Sequence, residues 1–125
     1  MTAPHNAKPG GKTGLARIAA AARYSLAGLE RLMAEPAFRH EMLTLPILVL
    51  GFAIFGASAA EYLALLILFL LLISFEALNT AIETLVDHLT SDWAQFAKEA
   101  KDLGSLAVMC VLVCHGLLFL YVIFA

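Results

Sequence analysis

Glu76, Asn79, Glu83 and Asp87 lie in one short stretch, FEALNTAIETLVDHL, from Phe75 to Leu89. Immediately before it, Tyr62 to Phe75 carries no charge. Ionisable groups beside so apolar a run are costly and tend to be functional. At about 3.6 residues per turn, Glu76, Asn79, Thr80, Glu83 and Asp87 fall along one helix face. Leu78, Ile82, Leu85 and Leu89 fall on the other side. Such an oxygen-rich stripe supports two chemistries. Carboxylate and amide oxygens hold a hard cation such as Mg²⁺, which keeps some waters and also takes phosphate oxygens. A carboxylate in a drier place can act as a general base. The same residues would also serve as the wet face of a helix that has left a membrane, most readily at Asp87.

A second set follows. Lys101 and Asp102 precede Leu103-Gly104-Ser105, where an apolar run begins. If a helix starts there, its free N–H groups and positive dipole end suit phosphate. Lys101 would add a charge within reach of a terminal phosphate. The plainer alternative makes Asp102 an N-cap and lets Lys101 extend to lipid headgroups. There is no Walker A motif and no kinase glycine-rich loop, so any ATP is held without a standard nucleotide fold.

These residues need elements to position them. The chain has 125 residues, 62% hydrophobic and 14% charged. A soluble domain is roughly half apolar and about a quarter charged, so one integral membrane domain is expected. The net charge of −2 gives no reason to expect nucleic acid as a partner. Met1 to Gly14 reads as a flexible tail without the apolar core of a signal peptide. Residues 15–125 read as a single membrane domain. Residues 15–34 mix Arg17, Arg23 and Arg31 with Leu, Ile and Ala, which predicts an amphipathic helix on the membrane surface. Glu35-Pro36 should end it. Three spans are expected at about 42–57, 59–89 and 103–124, each judged against the roughly 20 helical residues that cross a bilayer core. Ser58-Ala-Ala-Glu61 matches a capping box, so the first two spans form a tight antiparallel hairpin. A polar connection is expected from Thr90 to Asp102.

All 8 Lys and Arg residues precede the first span or lie between the second and third. The positive-inside rule then makes the N-terminus and the second connection cytoplasmic. Cys110 and Cys114 are one turn apart in an apolar run, poorly placed for a disulfide, and His115 beside them reads as helix packing. Trp93 and Tyr121 suit interfacial anchoring. Gly51 and Gly116 suit close helix contacts.

EALNTAIETLVDHLTSDWAQFAKEAKDLGSLAVM, Glu76 to Met109, resembles the signature of the small prokaryotic integral-membrane diacylglycerol kinases. That pattern reads E-x-x-N-[ST]-A-I-E-x-x-V-D, about a dozen residues, then A-K-D-x-[GA]-[SA]-x-A-V. A weaker likeness in ARIAAAARYSLAGL and EPAFRHE extends it from about Ala16 to the C-terminus. The resemblance implies an all-α homotrimer in the bacterial inner membrane. It implies transfer of a phosphoryl group from Mg-ATP to diacylglycerol, giving phosphatidic acid. By matching position, Glu76 resembles the general base and Asn79 its placing residue. Glu83 and Glu35 resemble metal ligands that also meet ATP. Asp87, Lys101 and Asp102 resemble nucleotide contacts. Arg17 and Tyr24 match less specific ATP-site positions, and Glu41 and Ser105 positions at the lipid substrate. The stretch from Tyr24 to Glu35 is one residue shorter than in the best-known relatives, which would turn Glu35 relative to Tyr24. Ala94 and Glu99 replace polar and basic residues of some relatives. A sister activity uses undecaprenol, and its members often read KD-x-A-A-G-A-V, whereas KDLGSLAV here is nearer the diacylglycerol side. From another class, intramembrane acids alone would also suit a small channel or a proton-relay subunit.

Overall fold

The computed structural model describes residues 13–125, and the tail expected over Met1 to Gly14 lies almost wholly outside them. Within the described residues the chain is four α-helices: α1 (Gly14–Met33), α2 (Pro36–Ile54), α3 (Ala59–Leu89) and α4 (Gln95–Phe124). α2, α3 and α4 are each long and apolar enough to cross a membrane.

Local chemistry accounts for the joints. Thr13 caps α1 by accepting from the Ala16 N–H at 3.4 Å. α1 stops ahead of Pro36, and Pro36 then opens α2, where its missing N–H costs nothing. Leu15, Ile18, Leu26 and Leu29 on α1 are exposed. Among the described residues nothing covers that apolar side. Between α2 and α3, Gly56 takes φ +69°, a left-handed conformation that glycine adopts without strain. Ser58 accepts from the Glu61 N–H at 3.2 Å, and the Ser58 N–H donates to Glu61 at 2.5 Å, which completes the capping box.

Packing is led by α3 against α4, while α2 packs on α1 and α4. The sequential hairpin partners α2 and α3 are thus not the principal pair. Phe52, Leu65 and Val122 form one buried cluster near the hairpin, and Leu72, Val108 and Val111 a second one deeper in. Gly51 serves a close contact, because a Cβ there would come within 2.7 Å of the Phe119 ring. Nothing lies within 4 Å of such a Cβ at Gly116, so that expected contact is absent among the described residues of the chain.

Two boundaries differ from expectation. α2 begins at Pro36, ahead of the apolar stretch starting at Met42. α4 begins at Gln95, with Ala94 as N-cap, so the polar connection ends there and not at Asp102. The reason is that QFAKEAKD is itself helical. Gln95 donates to Glu99 at 2.8 Å and Lys98 to Asp102 at 2.5 Å, both i to i+4 pairs. Ala97, Gly104, Val108 and Val111 continue one buried stripe along the whole helix.

Candidate active site

α3 has 31 residues, about 46 Å of helix, against a hydrocarbon core of about 30 Å. One end of it must therefore leave the core. Counting from Ala59, Glu76 falls about 26 Å along, at the edge of that core. α3 and α4 are joined by residues 90–94, so their polar ends emerge side by side.

The acidic stripe of α3 faces protein. Glu76 and Thr80 are buried, Asn79 and Glu83 are half-buried, and Asp87 is exposed. Leu78, Leu85 and Leu89 on the opposite side are exposed. The stripe thus runs from a dry end to a wet end along one helix. At the dry end the Glu41 carboxyl reaches across from α2 to that of Glu76. In the middle, the Asn79 amide donates to Glu83 at 3.5 Å, while Asn79 Oδ1 is buried with no donor. Gly104 of α4 faces that oxygen, and a Cβ there would collide with it. At the wet end, Lys101 Nζ donates to Asp87 Oδ1 at 2.6 Å. The two sets of residues read from the sequence therefore meet across α3 and α4.

Lys101 and Asp102 do not start a helix. They lie inside α4, past its first turn, so no free N–H groups stand beside them. A phosphate there would meet the Lys101 ammonium without the helix dipole. Asp102 is exposed, paired with Lys98, and is not the N-cap. Between the emerging ends of α3 and α4 opens a cleft of about 610 Å³, lined by Asp87, Thr90, Trp93, Lys98 and Lys101 among others. A second groove of about 440 Å³, nearly all apolar, runs between α1 and α3 past Gly28, Leu32, Ala77, Thr80 and Ala81.

Other expected residues are less gathered. Glu35 is the N-cap residue of α2, and its carboxylate accepts from Arg31 at 2.6 Å. Arg17 and Tyr24 are exposed on α1, and Ser105 is exposed on α4. Among the described residues no three His, Cys, Asp or Glu side chains converge as a ready-made metal site. Mg²⁺ commonly takes one or two carboxylates and completes its shell with water and phosphate. Glu83, a half-buried carboxylate whose one hydrogen bond is long, fits that requirement, and Asn79 Oδ1 beside it is a buried oxygen lacking a donor. Sequence reasoning did not find Gly104 as the socket for Asn79, nor the Glu41–Glu76 contact, because both depend on non-local packing.

Three helices able to span a membrane, with acidic side chains and Lys101 gathered towards one end of α3 and α4, define a membrane protein with a polar cleft at one end of its bundle. Residues 23–124 match the prokaryotic diacylglycerol kinase family, and the chain belongs to that family. It is 46% identical over 112 residues to a diacylglycerol kinase of Sinorhizobium sp, covering 90% of this chain and 82% of that one. Over 98 residues it is 39% identical to a diacylglycerol kinase of Pseudomonas aeruginosa, covering 78% of this chain and 80% of that one. With a diacylglycerol kinase of Haemophilus influenzae it shares 34% over 106 residues, 84% of this chain and 90% of the relative.

Proposed function

We propose that this chain phosphorylates the free hydroxyl of diacylglycerol with ATP, giving phosphatidic acid and ADP. Family membership supports the reaction. The observation that carries it to this chain is the single track from Glu76 through Asn79 and Glu83 to the Asp87–Lys101 pair, crossing from a dry to a wet environment. One substrate is confined to lipid and the other to water, so the site has to span that boundary.

The apolar groove between α1 and α3 suits the lipid chains. The polar cleft suits ATP. The hydroxyl oxygen attacks the γ-phosphorus, the bond from that phosphorus to the bridging oxygen breaks, and ADP leaves with the electron pair. Glu76 takes the hydroxyl proton. Asn79 Oδ1, unpaired and packed against Gly104, helps place the hydroxyl. Lys101 offsets charge on the transferred phosphoryl group, where positioning and electrostatics do most of the work. Asp87 holds Lys101 in place, and Asp102, Arg17 and Tyr24 are outer nucleotide contacts by resemblance. The same resemblance assigns Glu41 and Ser105 to the lipid, although they stand on α2 and α4 and neither lines the apolar groove. Glu83, and Glu35 by resemblance, would hold Mg²⁺, which would supply charge neutralisation for the transferred phosphoryl group. The working form is a homotrimer in the bacterial inner membrane, with the N-terminus cytoplasmic.

The test is phosphate transfer from radiolabelled Mg-ATP in mixed micelles, with diacylglycerol and undecaprenol as separate acceptors. Label moving mainly to diacylglycerol is expected. Label moving mainly to undecaprenol would overturn the substrate and keep the mechanism. No transfer to either from folded protein would return the acidic stripe to a channel or proton-relay role.

A further inference from the structure

His115 was set aside above as packing, yet the fold buries it at 7% exposure in the middle of an apolar helix. Its Nδ1 lies 2.8 Å from the Val111 carbonyl oxygen. A carbonyl only accepts, so Nδ1 carries the proton, and in a neutral ring Nε2 is then an acceptor. Nε2 is buried without a partner, and so is Oε2 of Glu41. Both residues line one small cavity of about 40 Å³ between α2, α3 and α4. The remaining lining is Thr44 and apolar side chains including Phe69, Leu72 and Leu112. Thr44 Oγ1 has already donated its proton to the Glu41 carbonyl at 2.6 Å.

With the proton of the Glu41–Glu76 carboxyl pair held between those two groups, the cavity presents acceptors and no spare donor among the described residues. A molecule with two O–H groups, small enough for this volume, completes it, and water needs only about 10–15 Å³ of such space. The geometry points to a single-water site that bridges His115 Nε2 and Glu41 Oε2 inside the membrane, which makes His115 a positioning residue for the carboxyl pair. The water donates one hydrogen to each acceptor. With Oε2 so held, the Glu41 carboxyl keeps a fixed orientation against Glu76. This last step rests on the proposed role of Glu76 as base, whereas the water site does not.

Solid-state NMR of the unmutated protein in bilayers, with ¹⁵N-labelled histidine, tests the site directly. His115→Gln assigns the resonance. A neutral Nδ1–H ring with magnetisation transfer from water to His115 is expected, and a dry ring, or one protonated at Nε2, would overturn the proposal. Kinetics then test the positioning role. His115→Leu should lower kcat about five- to tenfold, the worth of one buried hydrogen bond, with both KM values little changed. His115→Gln keeps an acceptor at similar reach and should recover most of the loss. Equal loss in both variants, or loss in neither, would overturn positioning. Should the leucine variant fail to fold, His115→Met, which likewise lacks a strong acceptor, takes its place under the same criteria. Failure of the unmutated protein to transfer phosphate would sink the kinase reading and leave the NMR result standing.

Discussion

Two carboxylates about two turns apart on one face of α3 do different work because their surroundings differ. Glu76 is buried, against another carboxyl, while Glu83 is half-buried and nearer the polar cleft. Glu76→Gln keeps shape and removes the proton acceptor, so kcat should fall about 10²- to 10⁴-fold. Mg-ATP affinity, read by calorimetry with a non-hydrolysable analogue, should stay close to the parent's. Glu83→Gln should instead weaken that binding. Equal loss of binding in both variants would refute the division of roles. Gly104 gives a sharper test, because its two effects oppose each other. Alanine in a helix interior is favoured over glycine by about 1 kcal/mol. The added Cβ, however, would occupy the place of Asn79 Oδ1. Gly104→Ala should therefore unfold no earlier than the parent yet lose activity by about ten- to a hundredfold, the scale of a small misplacement at a reacting centre. A variant both stable and fully active would show that Asn79 does not need its present position.

The Asp87–Lys101 contact is the one charged link between α3 and α4 among the described residues. Both side chains are well exposed, at 65% and 42%. Exposed pairs of this kind add little to stability. Their value is chemical, so Lys101→Met should leave thermal unfolding unchanged and sharply reduce phosphate transfer. A lowered unfolding temperature with normal turnover would reverse that assignment. At this scale the sequence was legible wherever the signal is local. The capping box marks the start of α3 and Pro36 the break after α1, since each acts within a turn of the residues that encode it. The start of α4 was misread for a physical reason. Lys98, Glu99, Lys101 and Asp102 look like loop by polarity, but Ala97, Gly104, Val108 and Val111 keep a helical spacing through them. Polarity there reports departure from lipid, not the end of the helix. The acidic stripe could be read because it lies on one element. Its partners Glu41, Gly104 and Lys101 come from others, and only packing shows which of them arrive.

The proposed site lies at one end of the whole molecule, and which side of the membrane that end faces decides whether ATP can reach it. Arg39 near the start of α2 and Lys98 and Lys101 on α4 belong to that end, as do the arginines of α1. The opposite end, at residues 55–58 and after Phe124, has no Lys or Arg. By the positive-inside rule we propose that the cleft between α3 and α4 faces the cytoplasm. With Cys110 and Cys114 changed to alanine, one cysteine at a time can report each end. Ala60→Cys lies in the first turn of α3 and is exposed, and Ser91→Cys lies in the exposed connection before α4. A membrane-impermeant maleimide should label Ala60→Cys in intact cells with a permeabilised outer membrane, and Ser91→Cys only after lysis. The reverse pattern would place the acidic stripe and Lys101 on the side without ATP. Phosphoryl transfer from ATP would then be untenable however well the side chains are arranged, so orientation is a condition on the mechanism as strict as the identity of its base.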